Sequence, residues 1–393
     1  MSRPDILARL AAAHAHRARE DLLRRVRTIE RVDGCRIVID GKALLNFASN
    51  DYLGLAQHPA LRDALTKAAA HWGVGATAAH LLGGHRQEHA ALEEKLARWT
   101  GRERALLFST GYMANLGVLT ALLREDDLCV QDKLNHASLI DGARASGAQF
   151  KRYRHADVAS AQQQLQSLPA AGAMLATDGV FSMDGDVAPL AELAALCKTQ
   201  HATLMIDDAH GIGVLGADGA GCGAALPQED APVLMATLGK ALGVAGAFVA
   251  GSARLIDGLV QFARSYVYTT ALPPALATAA NAAIDIARDD DERRARLQQR
   301  IAQFRDGTAA CGVALLPSPS AIQPVLIGAS DAALSASRYL EAAGFYVPAI
   351  RAPTVPAGSA RLRVTLSAAH TEGDVARLLD ALALALPRAR GAA

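Results

Sequence analysis

TLMIDDAHGIG (203–213) and ATLGKALGVAGAFVAG (236–251) are the two stretches on which the fold turns. The first is a short apolar run that closes on two acids and a histidine. In open α/β sheets, ligands sit beyond the C-terminal ends of the strands. That rule puts Asp207, Asp208 and His210 at a candidate site. The second stretch sets Lys240 among apolar residues and glycines. A lysine in such surroundings is costly to keep as a cation and shifts toward its neutral amine, the form that adds to a carbonyl to make a Schiff base. The plainer alternative is a loop lysine that reaches out to water, and Lys240 by itself would not displace it.

Outward from these two, apolar strands alternate with helical patterns. Strands are expected at 104–109, 128–131, 174–178, 203–207, 234–237 and 246–250, with helices at 87–100, 112–123 and 189–200. Buried strands spaced by helices predict an α/β fold with a mostly parallel sheet covered on both faces. Before them, 1–30 reads as helix, and Asp40-Gly41 turns a hairpin of 35–40 and 43–47, a dipeptide suited to such turns. After Pro273-Pro274 the texture changes. A long Ala/Arg-rich helix leads into strand 322–327, helix 332–344, strand 361–366 and a closing helix 374–386. Three parts are expected: an N-terminal helix and hairpin (1–48), a large domain (49–285) and a smaller α+β domain (286–393).

Composition narrows the function. The 393 residues are 51% hydrophobic and 20% charged with a formal net charge of +1, ample for a large core. That balance argues neither for nucleic acid nor for an acidic membrane as partner, and no apolar run is pure enough to span a bilayer. Five cysteines without a Cys-x-x-Cys pair fit a reducing, cytoplasmic setting and no zinc ribbon.

Two further segments carry chemistry. STGYMANLG (109–117) follows a strand and opens a helix, so free backbone N–H groups at Gly111 and Tyr112 suit a phosphate; an ordinary capped core helix is the bland alternative. Asn135-His136-Ala137-Ser138 is a loop with an imidazole available for stacking, or simply a cap. Two decoys fall away. Gly211-Ile-Gly213-Val-Leu-Gly216 matches a dinucleotide fingerprint literally, but the GADGAGCGAALP that follows cannot open the required helix. Gly239-Lys240 lacks the spacing of a nucleotide-binding P-loop. The twelve histidines include no metal-binding spacing.

Taken together and in order, eight stretches resemble the α-oxoamine synthases, pyridoxal-phosphate (PLP) enzymes of the aspartate-aminotransferase fold type I. They are NFASNDYLGL (46–55), STGYMAN (109–115), NHASLIDG (135–142), TDGVFSMDGDVAPL (177–190), MIDDAHGIGVLG (205–216), TLGKALG (237–243), YTTALPP (268–274) and APTVPAGSARLRVTLSAAHT (352–371). The resemblance covers nearly the whole chain. It implies a seven-stranded, mostly parallel sheet in the large domain and a homodimer.

The same resemblance implies roles. Lys240 would carry the PLP Schiff base, Asp207 would pair with the pyridinium nitrogen, and His136 would stack on the ring. His210, with Ser182 or a neighbour, would bond the phenolic oxygen. Gly111, Tyr112 and Thr237 would hold the phosphate, with Thr269 and Thr270 from the partner subunit. Arg363 would bind the substrate carboxylate, with Arg24, Thr354 and Asn50 as further substrate positions. The closing 352–371 segment is most similar to the branch that joins L-alanine to a pimeloyl thioester, on CoA or on a carrier protein, in biotin biosynthesis. Branches that join glycine to acetyl-CoA or succinyl-CoA are the rivals. One stretch departs from the family pattern: GVGATAAHLLGGHRQEH (73–89) is poorer in Ser and Gly, which leaves substrate contacts from this loop open.

Overall fold

The computed structural model describes residues 3–20 and 22–391, with side chains described as far as Leu386. A helix, Ile6–Arg19, opens the chain, capped by Asp5, whose carboxylate accepts the N–H groups of Leu7 and Ala8 at 2.9 and 3.2 Å. It stops well short of the expected residue 30. Strand β1 (Ile29–Asp33) follows and pairs antiparallel with β2 (Arg36–Ile39), which pairs in turn with β3 (Lys42–Asn46). The reason is a second Asp-Gly hairpin, Asp33-Gly34, just ahead of the expected one at Asp40-Gly41. Gly34, Asp40 and Gly41 all take the left-handed backbone that tight hairpins require, with φ of 55°, 52° and 71°.

The large sheet is built from β4 (Arg104–Phe108), β5 (Leu128–Asp132), β6 (Gln149–Tyr153), β7 (Ala173–Asp178), β8 (Thr203–Asp207), β9 (Val233–Thr237) and β10 (Ala247–Gly251). Its order is β4-β10-β9-β8-β7-β5-β6. All neighbours are parallel except β10, which runs antiparallel to β4 and to β9. Strand β6 was not anticipated. Its sequence, QFKRY, is mostly polar and mostly exposed at the sheet edge, so it lacks the apolar run that marks the other six.

Period-two alternation covers both faces. Phe248 and Ala250 join one apolar cluster with helices Gln87–Trp99 and Pro274–Asp289, while Ala247 and Val249 join another under Gly111–Leu122. Because every parallel strand points the same way, Ser109, Asp178, Asp207 and Thr237 all arrive at one edge.

The C-terminal part holds β11 (Ile322–Gly328), β12 (Phe345–Tyr346), β13 (Ala349–Ile350) and β14 (Ala360–Thr365). A three-stranded sheet, β11-β14-β13, packs against helices Ser330–Ala342 and Glu372–Gly391. Strand β12 pairs parallel with β3, so the N-terminal hairpin and the C-terminal part share one sheet. The seam continues where Thr365 donates its N–H to the carbonyl of Phe47 at 2.7 Å and His370 stacks on the Phe47 ring at 4.1 Å.

One ionic clamp locks the open edge of the large sheet. His155, just past β6, reaches Asp132 at 3.1 Å and Asp186 at 2.9 Å. Burial alone would lower its pKa, but hydrogen bonds to the two carboxylates win and raise it from 6.5 to about 10. The unfolded chain releases this proton near 6.5, so the clamp's stabilisation is full below that pH and is lost as pH rises through about 10. In urea denaturation of the apoprotein, the stability difference between wild type and His155→Gln should therefore shrink from pH 6 to pH 10. A difference that is flat across that range would rule the clamp out.

Candidate active site

The edge where the parallel strands end encloses a cavity of about 200 Å³. Thr110 caps the helix Gly111–Leu122, its hydroxyl oxygen accepting the N–H of Met113 at 3.2 Å. Gly111 and Tyr112 then occupy the first turn, where backbone N–H groups have no acceptor inside the helix. Both residues line the cavity, and Thr237, at the end of β9, lines it beside them. An anion at this rim would meet the positive end of the helix dipole. The Tyr112 hydroxyl donates to Asp141 on the next helix.

Deeper in, Asp207 ends β8. One of its oxygens accepts the amide of Asn115 at 2.7 Å, and the other accepts the N–H of Ala209 at 3.1 Å. These two donors fix the orientation of the carboxylate at the floor of the cavity. The Asn115 amide also donates to the Ser138 hydroxyl at 2.8 Å. His136 starts the helix Ala137–Ser146, its Nδ1 accepting the N–H of Ser138 at 3.3 Å, and its own N–H donates to the Asp178 carboxylate at 3.1 Å. Burial is the main force lowering the His136 pKa, and burial, with Asp207 adding, holds Asp178 well above the ordinary carboxylate range.

Lys240 faces this group. Its Nζ stands 2.9 Å from Nε2 of His210, and Nδ1 of His210 is 2.6 Å from the Tyr52 hydroxyl. Burial pushes the Lys240 amine toward its neutral form, opposed by Asp207 and Asp178 and reinforced by Arg363. Burial, with Lys240 and Arg363 adding, keeps His210 neutral. In its neutral form such an amine is a nucleophile for a carbonyl compound.

Eight residues singled out from the sequence line this one cavity: Gly111, Tyr112, His136, Ser182, Asp207, His210, Thr237 and Lys240. Arg363 and Asn50 stand at its margin. The guanidinium donates to the Ser182 carbonyl at 2.7 Å and to the Asn50 side-chain oxygen at 3.3 Å. The other four are elsewhere on the chain. Arg24 is exposed in the loop before β1, and Thr354 is exposed in a turn before β14. Thr269 and Thr270 lie in the turn ahead of Pro274–Asp289, with Thr270 bridged to Ala79.

Sequence reading missed Tyr52, Asn115, Ser138 and Asp178. Asn115 offered a signal, a fully buried amide in an otherwise apolar helix. The literal G-x-G-x-x-G has a different use here: a Cβ on Gly211 would fall 2.0 Å from an Asp208 oxygen, and one on Gly221 2.2 Å from the other. The glycines let the chain wrap the Asp208 carboxylate, whose pKa burial raises to about 6.

Comparison with known proteins follows this geometry. The family described as aminotransferase class I and II matches residues 42–382. The 8-amino-7-oxononanoate synthase of Methylococcus capsulatus is 54% identical over 96% of this chain and 98% of its own length. The chain belongs to the 8-amino-7-oxononanoate synthase family, within the PLP-dependent aminotransferase class. A solved serine palmitoyltransferase from S. paucimobilis, with a bound PLP–myriocin aldimine, superposes with a TM-score of 0.93 at 28% identity, covering 99% of this chain and all of that one. The Francisella tularensis 8-amino-7-oxononanoate synthase superposes at 0.77 with 30% identity, covering 88% of this chain and 98% of that one. The protein is a PLP-dependent acyltransferase of fold type I.

The residues present fit that cofactor. The Asp207 carboxylate suits a protonated ring nitrogen, the Lys240 amine, pushed toward its neutral form by burial, suits the aldehyde, and the bare N–H groups at Gly111 and Tyr112 suit the phosphate. Replacing Asp207 by Asn keeps the shape but removes the charge-assisted bond, a loss of roughly 1.5–3 kcal/mol. Fluorescence titration of Asp207→Asn should show PLP affinity reduced about 10- to 150-fold. Unchanged affinity would remove Asp207 from this role.

Proposed function

We propose that this enzyme joins L-alanine to a pimeloyl thioester, releasing carbon dioxide and the free thiol and leaving 8-amino-7-oxononanoate for biotin biosynthesis. The observation that carries the reading is the Lys240 amine, pushed toward its neutral form by burial and held 2.9 Å from His210 in the same cavity as Asp207. The bound cofactor supplies an electron sink for the carbanion formed at the amino acid's Cα.

The chain's own residues do the rest. Lys240 would anchor the cofactor, and its free Nζ would take the proton from the substrate Cα. Asp207 keeps the ring nitrogen protonated, which lowers the energy of the carbanion. His136, at the cavity wall, would stack on the ring and is suited to stabilise the oxygen of the acyl group under attack. His210, with Ser182 alongside, would bond the phenolic oxygen. Gly111, Tyr112 and Thr237 would hold the phosphate. Arg363, beside Asn50, offers a fork of N–H donors to the alanine carboxylate. Arg24 and Thr354, exposed near the chain's two ends, are assigned to the acyl substrate, CoA-linked or carrier-linked.

The working unit in this reading is a homodimer in which Thr269 and Thr270 reach the partner's phosphate site. Its support is local. The turn that bears them is bridged to the 78–82 segment, and Val74, Leu82 and Tyr268 on these pieces are 89%, 80% and 72% exposed. Apolar side chains that open to water are expected to find a covering surface. The five cysteines are free, which suits a reducing cytoplasm.

Two measurements test the reading. Borohydride reduction of the holoenzyme should fix the cofactor on the peptide that contains Lys240 and on nothing in Lys240→Ala; covalent cofactor in that variant would defeat the assignment. Product analysis should find the amino-ketone from alanine with pimeloyl-CoA or with the pimeloyl carrier protein. Greater turnover of glycine with acetyl-CoA or succinyl-CoA would overturn the substrate assignment.

A further inference from the structure

Tyr52 is 1% exposed, and three polar groups face its hydroxyl, one of them the Arg363 guanidinium. Nδ1 of His210 lies 2.6 Å away, and the side-chain oxygen of Asn50 lies 3.3 Å away. A hydroxyl has a single proton to give. A contact of 2.6 Å needs a proton between the two atoms, whereas 3.3 Å lies past the usual range of about 2.5–3.0 Å for an O–H···O bond. The Asn50 oxygen is in any case served by the Arg363 guanidinium.

His210 is held neutral in this setting: burial above all, with the Arg363 guanidinium adding and His136 also facing the ring, opposes a second proton. Its single ring proton must sit on one nitrogen. If it sat on Nδ1, the Tyr52 proton would be left to the long Asn50 contact, and Nε2 would present only a lone pair, unable to donate to a ligand in the cavity. With the hydroxyl donating to Nδ1, the short bond is made and Nε2 carries the proton. Nε2 then points at Nζ of Lys240, 2.9 Å away, which as a neutral amine accepts it.

We propose that Tyr52 is a positioning residue: by donating to Nδ1 of His210 it pins the ring proton on Nε2, so that His210 meets the cofactor's phenolic oxygen as a hydrogen-bond donor. This rests on the reading above that His210 faces that oxygen. Burial raises the Tyr52 pKa to about 12, so the hydroxyl keeps its proton across the working range. The Tyr52 ring comes from the N-terminal segment 46–55 and His210 from the loop after β8. The donor state of the site is thus set across the seam between two parts of the chain.

Tyr52→Phe removes one oxygen and no volume. The bond it deletes holds a donor against an anionic oxygen, and such a donor favours the deprotonated cofactor. The midpoint of the lysine-bound cofactor's visible absorbance against pH should therefore rise in Tyr52→Phe holoenzyme, by about one pH unit. Nitrogen NMR of the His210 ring should show Nε2 protonated in wild type and a mixture of the two neutral forms in the variant. His210→Asn, which deletes the donor itself, serves as reference and should move the midpoint at least as far. A midpoint and ring signals unmoved by Tyr52→Phe, with His210→Asn shifted, would overturn the inference alone. A lowered melting temperature in Tyr52→Phe with an unmoved midpoint would mark a packing role and overturn it equally. If His210→Asn also leaves the midpoint in place, the reading of His210 falls, and the inference with it.

Discussion

An amine and a carboxylate buried at the same sheet edge set the terms for everything around them. Taking either charge out of water is costly, so Lys240 is pushed toward its neutral form while Asp207 is held by the Asn115 amide and the Ala209 N–H. Those two requirements explain the neighbourhood. Asn115 must be a buried amide in an apolar helix, and Ser138 and His136 complete the polar chain that begins on it. A site so arranged is poised for a carbonyl ligand with a cationic ring, and the fold-type I relatives use one.

The second organising constraint is the seam between chain ends. The 46–55 segment, the loops after β7 and β8, and strand β14 meet at the cavity margin through Tyr52, Asn50, Ser182 and Arg363. Strand β12 pairing with β3 and the His370 stack on Phe47 hold this junction from behind. Asp184 and Arg361 add an ion pair from the same loop to β14. Groups proposed for the substrate thus come from both ends of the chain, and most of those proposed for the cofactor from the large sheet. The geometry between them depends on side-chain contacts across the whole length of the chain.

Much of this was legible in one dimension. Six of the large sheet's strands announced themselves as apolar runs because strands buried on both faces have no polar positions to show. Four strands were missed: β1 and β6 are polar and mostly exposed, so burial leaves no pattern in them, and β12 and β13 are two residues long, too short to show one. Lys240, Asp207, His210, Gly111 and Tyr112 were readable because each sits at the end of a strand or the start of a helix, where local pattern fixes position. Tyr52 and Asp178 were not, because nothing in NDYLGL or TDG says which distant group each will touch.

By itself, then, the sequence determined an α/β chain with a strand ending in acids, and it offered a candidate phosphate turn and one candidate lysine beside their plainer alternatives. Those are properties of local pattern and of residue chemistry, which need no partner to be stated. Tertiary structure alone decided that Lys240 points at His210, that His210 leans on Tyr52, and that Arg363 arrives beside Asn50 from 313 residues away. Direction, distance and protonation depend on neighbours brought together by packing, and a chain read in order does not contain its neighbours.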